Sequence, residues 1–129
     1  KQQILDKEKA LLAALQSKRD KIKAEIEDLE LFLVEQSRKL QGKQMQGMSA
    51  ADLAGHNFIV QNTRTRLEAL HIELLNAEKE VEEQRKIVLQ ASQEVKSIDK
   101  LEEKKLEEYH LEASRAENEE RMEVLTMKK

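Results

Sequence analysis

The chain can bend sharply in only one place. It contains no proline, and its three glycines, Gly42, Gly47 and Gly55, all fall between Leu40 and Asn57. Glycine and proline are the strongest local breakers of regular structure. On both sides of this stretch the sequence repeats as long, charged helix. That pattern predicts an all-α fold, a long antiparallel two-helix coiled-coil hairpin with an overhanging C-terminal helix. As a single domain over residues 1–129, it would have helix 1 at about 2–41 and a tip at about 42–56. Helix 2 would run over about 57–127, or start as early as 49.

The first arm carries the repeat most clearly. Counting from Leu5, heptad positions a and d fall on Leu5, Glu8, Leu12, Leu15, Arg19, Ile22, Ile26, Leu29, Leu33, Gln36 and Leu40. Leu and Ile dominate this seam, as a two-helix interface requires. Glu8 and Arg19 interrupt it. Long polar side chains at such positions reach out to water, or they form a polar layer that fixes register. Next to the seam, Leu31 sits at position f and Val34 at position b, both facing away from a partner helix. Exposed apolar groups of this kind can mark a docking surface, and single ones are also common on ordinary surfaces.

At the tip, Gly42 stands where a C-terminal glycine lets a helix end in a left-handed turn. Ser49-Ala50-Ala51-Asp52 has the form of a capping box, and Met48 with Leu53 fits a hydrophobic staple. The glycine spacing from Gly42 to Ser49 comes close to a phosphate-binding loop. Met48 stands where that loop needs its lysine, and no strand pattern precedes it.

In the second arm the a positions are Val60, Leu67, Leu74, Val81, Val88 and Val95, and the d positions are Thr63, Leu70, Ala77, Gln84, Ala91 and Ile98. Folding at the tip pairs Leu40 with about Val60, Ile26 with Leu74 and Leu5 with Val95. It brings Arg19 and Gln84 within a turn of each other as a candidate polar layer. Ile72 and Leu75 come level with Leu31 and Val34, and these four with Phe32 are expected to form a patch near the tip. Everything after about Asp99 is left without a partner. The seam weakens there at Glu102 and Lys105, and a thinner stripe continues through Leu101, Leu106, Tyr109, Ala113 and Ala116. The chain begins at Lys1 rather than at a methionine, so the expectation is a piece whose native start is missing.

Composition narrows the functions open to such a chain. Charged residues make up 38%, and the aromatics are only Phe32, Phe58 and Tyr109, so the apolar side chains suffice for a seam rather than a globular core. The net charge is −3, with ten acids against seven bases in residues 99–129. No basic stripe suggests a nucleic-acid partner, and no apolar run approaches the roughly 18 residues of a membrane span, so no direct membrane insertion is expected. Cysteine is absent, which excludes disulfides and thiolate metal sites. His56, His71 and His110 are far apart in the sequence, so no metal or cofactor is expected. Adjacent carboxylates such as Glu82-Glu83 are solvated helix charges. A two-helix hairpin has no cleft that could exclude water or shift a pKa, so the chain is expected not to be an enzyme.

Three segments resemble the FliJ family, a coiled-coil component associated with the flagellar type III export ATPase. The tip Gly47-Met48-Ser49-Ala50-Ala51-Asp52-Leu53 is similar to that family's GMSA-type loop. The run from Ser97 to Tyr109, with Lys100, Leu101, Glu103, Lys104, Glu107 and Glu108, resembles its L-x-K-L-x-E-K-x-x-E-E-Y segment. Glu117-Asn118-Glu119-Glu120-Arg121-Met122-Glu123 is similar to its E-Q-K-E-L-D-E ending, with Arg121 and Met122 as departures. The family's amphipathic start, of the F-x-F-x-L-x-x-V-L kind, is absent.

The hairpin reading implies a monomer, and the resemblance implies a non-enzymatic stalk at the cytoplasmic face of the inner membrane. Its partners would be a hexameric export ATPase, a membrane export-gate protein and export chaperones. Carried over by position, a gate-facing surface would fall at Leu33, Gln36, Leu40, Leu67, Leu70 and Leu74, several of them seam positions. Leu31, Phe32, Val34, Ile72 and Leu75 are therefore the gate-binding candidates. Leu101, Leu106, Tyr109, Ala113 and Ala116 are the candidates for the ATPase ring. The stalk of a related injection apparatus and a generic coiled-coil adaptor or holdase are the alternatives.

Overall fold

A computed structural model describes residues 1–127. It contains two helices, α1 over Gln2–Gln46 and α2 over Ala50–Met127, packed against each other as an all-α hairpin. At 1.5 Å per residue, α1 spans about 68 Å and α2 about 117 Å. Among the described residues no helix is long and apolar enough to cross a membrane.

The reversal is much tighter than the expected tip. Gly42 lies inside α1 and Gly55 inside α2, so neither ends a helix. Gly42 is followed by Lys43, Gln44, Met45 and Gln46, all good helix formers, and one glycine costs too little to stop propagation through them. The stop comes at Gly47, whose φ of +90° is a conformation that side-chain-bearing residues rarely adopt. Its N–H donates to the Gln44 carbonyl at 3.3 Å. Two residues later α2 starts on its cap. The Asp52 N–H donates to Ser49 Oγ at 3.1 Å, and the Leu53 N–H to the Ser49 carbonyl at 3.0 Å. Helix 2 thus begins at Ala50, directly after Ser49, whose hydroxyl satisfies a first-turn amide that would otherwise have no partner.

Shortening the tip moves the pairing of the arms. Gln84 donates through Nε2 to the Glu8 carbonyl at 3.0 Å and to the Glu8 carboxylate. Arg66 meets Glu25 at 3.1 Å, and Lys18 approaches Glu80 at 3.6 Å. The expected polar layer of Arg19 and Gln84 does not form. Arg19 instead turns to its neighbour Asp20 at 3.2 Å. A turn centred on Met48 rather than near residue 50 draws Gln84 toward the chain start, where Glu8 is the polar group in reach.

The seam itself follows the heptads. Leu5, Ile22, Ile26, Leu67, Leu70, Ala77 and Val81 are the buried apolar residues, with Leu29, Leu33 and Leu74 packed against the cluster around Ile26 and Leu70. Leu70 is fully buried at 0% exposure. Thr63 can lie in this seam because its hydroxyl donates to the Ile59 carbonyl at 2.8 Å, so no polar group is left without a partner. Among the residues of α2 up to 126, Ile98 is the last with any cover. From 99 to 126 every residue is exposed.

Candidate partner-binding surfaces

Near the tip, the exposed apolar residues divide between two faces. Leu31 and Val34 are 64% and 55% exposed, and together with Glu27 and Glu30 they line a shallow groove formed by α1 alone. Ile72 and Leu75 are 62% and 61% exposed on α2. All four occupy positions f or b, about 150° around their helices from the seam. Since the two seams face each other, the two outer faces point in opposite directions, and the four residues do not make one patch. Heptad position shows that each residue points outward within its own helix and carries no information on the azimuth between the two arms. Phe32, at position g, is half-buried at the edge between them.

Leu67 and Leu70, at positions the resemblance carried over for gate contact, are buried in the seam. Phe58 adds a further exposed apolar group near the tip. It is 67% exposed at an outer f position two heptads before Ile72. The second-arm register that turns Ile72 outward turns Phe58 outward as well.

The seam is less enclosed toward the turn. A groove of about 250 Å³ opens between the arms, lined by Leu33, Ser37, Leu40, His56, Asn57, Val60 and Arg64. The heptads predict seam here, and the residues are half-buried or exposed rather than enclosed.

The overhang is a bare helix of 28 residues, 99–126, about 42 Å long. Its apolar stripe keeps only part of the seven-residue repeat: Tyr109 and Ala116 continue position a from Val60, whereas Leu106 and Ala113 fall at e. Ile98, Tyr109 and Glu120 are spaced by eleven, as are Glu102, Ala113 and Val124. With about 100° of rotation per residue, these six and Leu106 and Ala116 fall within about 40° of one line. Such a stripe runs nearly straight along the helix instead of winding with the left-handed hairpin. Four of the five expected ring-binding residues, Leu106, Tyr109, Ala113 and Ala116, share this line. Leu101 lies about 100° away from it. Tyr109 is 67% exposed and Leu106 57%. The Tyr109 ring meets His110 edge-on, with centroids 6.0 Å apart.

A family model described as Flagellar FliJ protein matches residues 1–124. No curated protein and no solved structure matches the chain significantly.

Proposed function

The chain belongs to the flagellar FliJ family, a non-enzymatic component associated with flagellar export, and from this we propose that it is the stalk coupling a hexameric export ATPase to the membrane export gate. The family match across residues 1–124 carries this reading. In it, the overhang enters the ATPase ring by the face of Leu106, Tyr109, Ala113 and Ala116, with Leu101 on a neighbouring side. The tip half meets the gate protein through α1's Leu31, Phe32 and Val34, or through Ile72 and Leu75 on the opposite face of α2. Export chaperones use the same outer faces. The protein works as a monomer at the cytoplasmic side of the inner membrane.

The shape supports the division of labour. A hairpin is stiff where its seam is packed, from Leu5 to Ile26 on α1 and from Thr63 to Gln84 on α2. Its two ends differ, one a capped turn and the other a helix with nothing covering it. Mixing the chain with the hexameric ATPase tests the reading: we expect changed assembly or hydrolysis, lost on removing residues 99–129. Removing the turn should leave that effect and abolish co-purification with the gate protein. An ATPase indifferent to the intact chain in both assembly and hydrolysis would sink the proposal.

A further inference from the structure

The overhang carries charge on its two sides unequally. Residues 99–126 hold ten acids and five bases, whereas the preceding hairpin is balanced. Projected around the helix at about 100° per residue, Asp99, Glu102, Glu117, Glu120 and Glu123 lie on or within about 60° of the apolar stripe, against Lys105 alone. Three of the bases, Lys100, Lys104 and Arg115, fall on the far face. The apolar line through Leu106, Tyr109, Ala113, Ala116 and Val124 is therefore rimmed by carboxylates, with most of the opposing charge turned away from it.

We propose that this face docks into a straight apolar groove of a partner protein rimmed by lysine and arginine. Resting on the stalk reading above, this names the chemistry of the ring surface that receives the overhang. A carboxylate-rimmed stripe repels a second copy of itself, so the complement has to be basic. Glu102 and Glu120 stand on the stripe itself. Covering them with an apolar wall alone would strip two charges of water without return, whereas a cation opposite each restores the lost interactions. The small Ala113 and Ala116 allow close approach of the partner at the middle of the stripe. The spread of the stripe, within about 40° of one line, fits a partner that lies along the helix rather than winding around it.

The test compares two variants of the full chain with the same net charge. One carries Glu102→Gln, Glu117→Gln, Glu120→Gln and Glu123→Gln at the rim. The other carries Glu103→Gln, Glu107→Gln, Glu108→Gln and Glu119→Gln, at about 100° or more from the stripe. Gln matches Glu closely in helix propensity, and circular dichroism checks that both retain their helix. Affinity for the hexameric export ATPase is then measured between about 50 and 300 mM salt, where screening of exposed charges changes strongly. Wild type should weaken about tenfold over that range, and the rim variant should bind about tenfold less tightly at low salt with a flatter salt dependence. The off-face variant should stay within about twofold of wild type. Equal losses in both variants, or tight wild-type binding that ignores salt, overturn the basic groove while leaving the stalk reading standing. Absence of ATPase binding at any salt overturns both. A wild-type dimer in sedimentation that mutation of Tyr109→Ala dissolves would assign the stripe to a second copy instead, and would overturn the proposal.

Discussion

At the scale of single residues, the three glycines are chemically identical and structurally unlike. Gly42 and Gly55 sit in helices with open space where a Cβ would go, whereas Gly47 alone has a positive φ. Gly42→Ala and Gly55→Ala should each stabilise the hairpin by about 0.5–1 kcal/mol, since alanine loses less backbone freedom on forming helix. Gly47→Ala should cost about 1 kcal/mol or more, because alanine is strained in that conformation. Urea unfolding of the three variants checks both signs. Leu70 and Leu31 make a similar pair. Leu70→Ala opens a cavity in the seam and should cost about 2–4 kcal/mol, while Leu31→Ala, on an exposed face, should change stability by less than about 0.5 kcal/mol.

At the scale of the helices, Gln84 is the buried polar residue that joins the arms, at 5% exposure. Glu8 is only half-buried and can turn to water if its partner is lost. Replacing both by leucine should therefore raise the midpoint of unfolding, and at the same time allow the arms to slide, since an all-apolar seam fits several registers. Spin-label distances across the arms would broaden. A single sharp distance in the double variant would show that the polar pair does not set register.

This pair also marks how far the sequence could be read. The heptads gave the fold class, the seam and the point near Asp99 where cover ends, because a period repeated over many turns outweighs any one residue. The pairing of Gln84 was not legible, since it depends on where the reversal is centred. That in turn depended on choosing among three glycines by φ, which one-letter symbols do not carry. Leu31 and Ile72 were legible as outward-facing but not as back to back, because a register read within one helix says nothing of the azimuth between two.

At the scale of the whole molecule, packing ends well before the chain does. An isolated helix has little tertiary support and frays, because in proteins most helical stability comes from a packed face. Amide hydrogens in residues 99–126 should exchange much faster than those from Thr63 to Gln84, and should slow when the ATPase is bound. Hydrogen exchange with and without that partner reads both. Uniform protection along α2 in the free chain would mean that the overhang is covered in solution.

Beyond Ile98 no partner helix covers α2, so the length of the overhang and the direction of its face are not fixed by packing against the first arm. Seven residues inserted after Ile98 would carry the far end about 10 Å outward while rotating its face by only about 20°. Two residues would move it about 3 Å and turn it by about 200°. Reach and aim are thus set by different increments of chain length. The molecule works as a gauge whose zero lies at Gly47, and it can be lengthened in whole heptads without being re-aimed.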